Sequence, residues 1–502
     1  MAYLETVFLI GVVLGLIYWF IKWKFTYWQR HDIAFLPPKF PFGFITVPRS
    51  KQQFSLRLAS AYEQFKNQGK FVGLYFFIKP IILLTDVDMI RNVLIKDFSM
   101  FASRGVFVNE KDDPLSAHLF NLDHERWRPL RAKLTPTFTS GKMKFMFPTI
   151  VSVADEFVNC LDEICKTDNE VEMNDLLGRF TTDVIGTCAF GIECNSLKDP
   201  NAMFRQMGKK VFEQPKLGSM GRIIVSSLPG LAKKLGMRAH HKDVTDFFLN
   251  AVKETVHYRE QNNVKRNDFM DLLINLKNNP VTNEHGALTI EEIAAQAFVF
   301  FLAGFETSST TLTYCLYELA LEHNKHIQDK ARNEIRTILS KYNGELSYDA
   351  INEMIYVEQI INETLRKYPP GATTSRVATN NYAVPGTNYT IPKGMLIFIP
   401  IYGIHHDPEI YENPKEFNPD RFSSEAASQR PTCSFLPFGE GPRNCIGLRF
   451  GMLQARIGLV KMLQNFEFAK CDRTLVPMEF DAKKIVLSPI CGTWLKVTSY
   501  KK

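Results

Sequence analysis

Phe438-Gly439-Glu440-Gly441-Pro442-Arg443-Asn444-Cys445-Ile446-Gly447 is the stretch on which the reading of this chain turns. It sets one cysteine among turn-forming glycines, with an arginine two residues before the sulfur and an aromatic ring seven before it. The thiolate is the metal-binding form of cysteine, and it persists only where hydrogen-bond donors or positive charge compensate it. A tight turn here aims backbone N–H groups at the sulfur. The run Leu448 to Leu463 reads as a helix whose positive N-terminal end faces the same atom. Arg443 is placed to meet an anionic group of a bound cofactor, and Phe438 to keep water from the sulfur. The plainer alternative is a buried free cysteine beside a glycine-rich turn. Phe, Gly, Arg and Gly at these spacings weigh against it.

The rest of the chain sets bounds on that reading. It has 502 residues, 45% hydrophobic and 23% charged, which is ordinary globular composition. No internal repeat, low-complexity tract or long Gly/Ser linker divides it, so one large domain behind a short N-terminal segment is expected. The net charge of +7 is diffuse, and no basic block interleaves with aromatics, which speaks against nucleic acid as a partner. It suits an anionic membrane surface or an acidic protein partner. The nine cysteines are odd in number and include no C-x-x-C pair. A disulfide framework or structural zinc site is therefore not expected, and a reducing compartment is.

Val7 to Ile21 carries no charge, and with Met1 to Thr6 it reaches bilayer-spanning length. Lys22 and Lys24 follow, with Trp19, Trp23, Tyr27 and Trp28 as an interfacial aromatic belt. A cleaved signal peptide would want a basic start and a small-residue cleavage site, and the chain has neither. Residues 1–24 are read as an uncleaved single-pass anchor, with everything after Lys22 on the cytosolic side. Residues 25–45, holding Pro37-Pro38 and Pro41-Phe42-Gly43, read as a stiff hinge, and 46–502 as the main domain. The sequons at Asn362 and Asn388 have no meaning in a cytosolic domain. The stretch Val211 to Leu235 mixes apolar residues with lysines such as Lys233 and Lys234, a pattern suited to a membrane surface or to a helical cover over the core.

Phe71 to Lys79 and Ile81 to Thr85 read as two strands around Lys79-Pro80. Asp123 is placed to N-cap a helix on which Trp127 and Arg131 share a face. Thr289-Ile290-Glu291-Glu292 is a capping box opening a long helix to about Glu322. A further helix covers about Ile351 to Lys367, followed by short strands between Val377 and Ile399. The fold class is mainly α with small β-sheets.

Within the long helix lies Ala303-Gly304-Phe305-Glu306-Thr307. An interior glycine costs about 1 kcal/mol relative to alanine; close approach of the backbone to a flat ligand would justify it, and so would a crossing of two helices. Thr307 can bond back to a carbonyl and loosen the helix locally, and Glu306 is an acid able to relay protons. Glu363-Thr364-Leu365-Arg366 places an acid and a base three apart on a helix, by default a surface ion pair of small value.

The cysteine loop resembles the haem-binding loop of the cytochromes P450, in which a cysteine thiolate is the axial iron ligand. The helix motif 303–307 resembles the oxygen-activation motif of that family. Glu363 and Arg366, with Arg421 in Phe417-Asn418-Pro419-Asp420-Arg421-Phe422, resemble its Glu–Arg–Arg network, although Asp420 stands where the family often has Glu. The resemblance spans nearly the whole chain. It is greatest to the microsomal, xenobiotic-metabolising P450s of insects, through the run Leu122 to Lys142, the 303–310 segment and the cysteine loop. One departure is His124, where related sequences usually carry Gly.

The resemblance implies the P450 fold behind the anchor, and haem b with Cys445 as its iron ligand. The implied cofactor contacts are Arg104, Trp127, Arg131, Arg376, Phe438, Arg443, Gly447 and Ala303, the arginines serving the haem carboxylates. It implies a monooxygenase that puts one atom of O₂ into an apolar small molecule such as a xenobiotic, plant toxin, insecticide or endogenous lipid or hormone, with Thr307 and Glu306 delivering protons. Candidate substrate-pocket residues are Phe107, Phe120, Phe298, Phe301, Phe305, Ala372, Thr373 and Leu487. The sequence holds no nucleotide-binding motif for a flavin, so electrons from NADPH would come through a partner, NADPH-cytochrome P450 reductase with cytochrome b5 as a possible second donor. Arg126, Arg128, Lys133, Lys142 and Lys144 could form the basic face for it. The implied location is the endoplasmic reticulum membrane. A P450-like isomerase or dehydratase would not need the acid–alcohol pair, and a haem-binding sensor would need neither that pair nor a reductase face.

Overall fold

The computed structural model describes residues 2–44, 52–212, 221, 224–225, 228–266, 268–278 and 287–500. Met1, the last residue of the expected hinge (Ile45) and the first residues of the expected main domain (46–51) lie outside them.

Helix α1 (Ala2–Lys24) has 23 residues. At 1.5 Å per residue it is about 34 Å long, enough for a hydrocarbon core of about 30 Å. Its side chains are exposed as far as Phe20, and among the described residues it is the one helix long and apolar enough to cross a membrane. At Ile21 the chain meets the protein. Ile21, Phe25 and Trp28 join a core cluster with the first two strands. Trp28 is wholly buried and donates its indole N–H to the Leu74 carbonyl at 2.9 Å. Gly73 makes room for it, since a Cβ there would overlap the indole ring. Further on, Leu36 N donates to Gly73 O, Gly73 N to Ala34 O and Phe44 N to Tyr75 O. The segment after α1 is therefore bonded along the sheet edge and is not a spacer. Trp28 belongs to the core and not to an interfacial belt, whereas Trp19 and Trp23 stay exposed.

Strands β1 (Phe71–Phe76) and β2 (Lys79–Leu84) pair antiparallel. The turn falls at Phe77-Ile78, with Phe77 at φ +55°. Pro80, expected in the turn, lies in β2 opposite Tyr75, where its missing N–H is tolerated near the strand start. A short strand β3 (Glu170–Glu172) belongs to a second sheet. β4 (Thr374–Val377) and β5 (Leu396–Ile399) extend the first sheet in the order β1-β2-β5-β4, β2 and β5 being parallel. β6 (Phe466–Lys470) and β7 (Trp494–Ser499) complete the second as β3-β7-β6.

The helices that matter for the site are α2 (His124–Leu134), α3 (Ser140–Cys165), α4 (Met173–Ile185), α5 (Met203–Phe212), α6 (Lys242–Gln261), α7 (Ile290–Ala320), α8 (Ile355–Lys367), α9 (Ile401–His405) and α10 (Leu448–Asn465). Long α7 runs through the main core cluster, packed by α4, α6 and α10. Its capping box forms: the Thr289 hydroxyl accepts from Glu292 N at 3.2 Å, and Glu292 Oε2 accepts from Thr289 N at 3.0 Å. Asp123 occupies the N-cap position of α2 but makes no side-chain capping bond. The helix expected from Ile351 is broken at Met354, so α8 begins at Ile355. Gly304 owes its identity to packing, because a Cβ there would press on Ile185 of α4. The crossing of two helices is enough to account for the missing side chain.

Of the Val211 to Leu235 stretch, Leu217, Met220 and Ile223 lie outside the described residues. Leu228, Leu231 and Leu235 are exposed beside Lys233 and Lys234, and Ala232 is buried. All nine cysteines are free thiols.

Candidate active site

The cysteine loop closes on itself. Gly439 N donates to Leu436 O at 3.0 Å, Asn444 N to Gly441 O at 3.1 Å and Cys445 N to Phe438 O at 2.8 Å. Two glycines hold left-handed backbone, Gly439 at φ +68° and Gly441 at φ +72°, a region that costs other residues about 1–2 kcal/mol. Gly441 has a second reason, since a Cβ would overlap the Leu94 carbonyl oxygen. Gly447 caps α10, and its N–H bonds the Cys445 sulfur. Burial pushes the Cys445 thiol up; that N–H and the charges of Arg131 and Arg104 pull it back toward the thiolate. Cys445 has accessible surface although it lies deep in the protein, because it faces a cavity.

That cavity has a volume of about 350 Å³. Cys445, Phe438 and Ile446 form one side and Ala303, Thr307, Ser308 and Thr311 of α7 another. Val299, Phe300, Leu119, Ile361 and Leu365 supply apolar wall. Ala303 and Thr307 are exposed, and what they face is this space. Phe300 stacks on Phe138, centroids 5.2 Å apart, and meets Phe269 at a tilt with centroids 4.1 Å apart.

Arg104, Arg131, Arg376 and Arg443 all line the cavity, together with Trp127. They come from the turn after Phe101, from α2, from β4 and from the cysteine loop. Arg104 donates to Phe120 O (3.1 Å) and Arg443 O (2.9 Å) and lies 4.0 Å over the Phe120 ring. Arg131 donates to the carbonyl (2.8 Å) and side-chain oxygen (2.9 Å) of Asn444. Arg376 donates to Ser375 O at 2.8 Å. Arg443 donates to Leu122 O at 2.6 Å and lies 4.4 Å from the Trp127 ring centre. Among the described residues none of the four meets a carboxylate. Burial holds Arg376 down to about 10. Burial and then Arg376 hold Arg443 down to about 9. Arg104 is pushed well below its ordinary value by burial and by the other three. The Nε atoms of Arg104, Arg376 and Arg443 are buried without a partner. A cluster of like charges with orphaned donors is costly unless an anion joins it. A flat group carrying carboxylates above a thiolate ligand, haem, fits this donor set.

The chain matches the family model described as cytochrome P450 over residues 37–495. The chain belongs to the cytochrome P450 family. It is similar along almost its whole length to cytochrome P450 6A1 of Musca domestica, 45% identical over 98% of this chain and 97% of that protein. It is likewise similar to cytochrome P450 6a9 of Drosophila melanogaster, 46% identical over 97% of this chain and 98% of that one. The chain is thus a P450 monooxygenase, with haem held by a cysteine thiolate.

In this P450 the candidate residues fall into three groups. Thr307 faces the cavity and its hydroxyl donates to Ala303 O at 2.6 Å, the back-bond expected from the sequence. Glu306 does not line the cavity; burial raises its carboxyl pKa, against Arg205, Lys484 and Lys209. Of the candidate pocket residues, Phe120 and Thr373 line the cavity and the other six do not. Phe298, Phe301 and Phe305 sit on the opposite faces of α7, packed on Phe248, Phe204 and Phe212. Ala372 and Leu487 are buried, and Phe107 is half-buried.

Glu363 and Arg366 are no surface pair. Both are wholly buried and bidentate, at 2.7 and 2.8 Å. Arg421 reaches Glu363 at 3.5 Å, and Asp420 pairs with Lys330 at 3.2 Å. His124 opens α2 and stacks against Trp127. Asn444, which fixes Arg131, escaped sequence reasoning. Its place beside Cys445 was the available signal.

Proposed function

We propose that this P450 oxidises an apolar small molecule, a xenobiotic, plant toxin, insecticide or endogenous lipid or hormone, at the endoplasmic reticulum membrane. NADPH would supply the electrons through a partner reductase, with cytochrome b5 as a further donor. The observation that carries the reading is one cavity in which Cys445, four arginines with no carboxylate partner among the described residues, the Thr307 side chain and apolar walls face each other. Haem bound at Cys445 supplies the iron chemistry that activates dioxygen. The residues do the rest. Arg104, Arg131, Arg376 and Arg443 bind and orient the cofactor through its carboxylates. Phe438 shields the sulfur from water. Val299, Phe300 and Phe120 exclude water and hold substrate by contact area. The Thr307 side chain faces the cavity with its hydroxyl proton on the Ala303 carbonyl; turned away from that bond it would hand a proton inward, with Glu306, one residue away and of raised pKa, as the acid behind it.

The exposed helix α1 and the apolar, lysine-bearing segment around Leu228 to Leu235 support attachment to lipid and delivery of apolar substrate from it. On the basic face, Arg128 and Lys144 are exposed, while Arg126 is engaged by Glu110 and Glu292. Reconstitution with reductase, NADPH and candidate substrates tests the reading. Thr307→Ala should keep haem and substrate binding while product per NADPH drops by about tenfold or more, the rest of the electrons leaving as reduced oxygen. Unchanged coupling with several good substrates removes Thr307 from the proton route.

A further inference from the structure

Behind the cysteine loop lies a histidine to which proton delivery gives no task. His405 ends α9 and is wholly buried. Its Nε2 lies 2.8 Å from the backbone nitrogen of Leu436. A backbone N–H only donates, so Nε2 accepts and the ring proton is on Nδ1. Nδ1 then donates to the Arg366 carbonyl at 3.1 Å. Arg366 in turn donates Nη1 to the His405 carbonyl at 2.9 Å. The ring stacks on Phe435, centroids 5.5 Å apart. Burial, then the charges of His406 and Arg366, keep it neutral, as the two opposed hydrogen bonds require.

The partner of Nε2 sits at the root of the loop. The Leu436 carbonyl accepts from Gly439 N, and two residues after Leu436 the Phe438 carbonyl holds Cys445 N. Leu436 also lines the cavity. The bonds of Arg366 go to Glu363, His405 and Glu416, and the step from that buried pair to the loop is the imidazole.

We propose that His405 is a positioning residue for the iron ligand: by holding the Leu436 N–H it fixes the root of the cysteine loop and ties Cys445 to the Glu363–Arg366 pair. The proposal rests on Cys445 as the ligand.

The test is the absorption of the reduced carbonyl complex of the holoenzyme, which reports whether the thiolate is on the iron. His405→Gln can place an acceptor near the Nε2 position, His405→Asn reaches only the Nδ1 position, and His405→Phe keeps ring shape and stacking with neither bond. The thiolate-type share of bound haem should stay near wild type in His405→Gln and fall about tenfold in His405→Asn and His405→Phe, where Leu436 N–H is left buried and unpaired. Wild-type spectra in His405→Phe, or an equal fall in all three variants, overturn the proposal. Cys445→Ala run alongside separates the two readings, because a thiolate-type spectrum surviving that change would refute the ligand assignment itself.

Discussion

The pair Glu363–Arg366 gives the most decisive number. On an exposed helix an acid and a base three residues apart contribute about 0.2–0.5 kcal/mol. Here neither side chain touches solvent, and two hydrogen bonds of 2.7 and 2.8 Å join them. Arg366 further donates to His405 O and Glu416 O, and Glu363 accepts from Asn418 N at 2.9 Å. Removing one partner strands a buried charge, at about 3–5 kcal/mol, a large part of a typical stability of about 5–15 kcal/mol. Glu363→Gln and Arg366→Met should each show that loss in urea unfolding of the holoenzyme, followed by haem absorption and tryptophan fluorescence. The double variant Glu363→Gln/Arg366→Met should cost less than the summed singles by about 2 kcal/mol, the coupling of a contacting pair. Single losses below about 1 kcal/mol, the value of an exposed pair, would refute the buried-network argument.

Gly441→Ala should leave almost no haem-loaded protein, because its Cβ meets the Leu94 carbonyl. Gly439→Ala, with nothing nearer than 3.8 Å, should cost only about 1–2 kcal/mol; equal outcomes in a haem-content assay would contradict the difference. Burial opposes ionisation of Asp175, yet hydrogen bonds from Lys209 and Arg179 hold its carboxyl down to about 2. A depressed carboxylate stabilises above its unfolded pKa and loses that contribution as pH falls. Asp175→Asn should therefore lower stability by about 1 kcal/mol near neutrality, discounted for partial exposure, and the gap in urea midpoints should narrow once pH drops below about 4. Deleting residues 2–20 should leave a folded haem domain, whereas deletion through Arg30 removes Trp28 and should cost about 3–5 kcal/mol, read as a lowered Tm.

The site was legible in sequence wherever local chemistry sufficed. The cysteine loop needs its two left-handed glycines whatever surrounds them, and the capping box of α7 is written in four consecutive residues. What stayed hidden depends on partners distant in the chain. Nothing near Glu363 shows that Asn418 N will bond it or that His405 will close on its partner Arg366. The three phenylalanines 298, 301 and 305 share the helix with Ala303 and Thr307, but only packing by α5 and α6 decides which face meets the core. Gly304 looked like a mark of a ligand until Ile185 stood against it. The stretch around Trp28 carries the composition of a membrane belt, and only the bare backbone of Gly73, 45 positions on, reveals a socket for its ring.

That socket changes the mechanics of attachment. A helix joined through a loose tether lets its domain swivel, so the bilayer sets distance and nothing else. With Ile21, Phe25 and Trp28 seated in the sheet, α1 inserted in a bilayer as proposed above would act as a lever. A change in bilayer thickness that alters the tilt of a spanning helix would turn the haem domain with it. On that attachment, the angle at which the cavity meets the lipid surface would be a property of the membrane as well as of the protein.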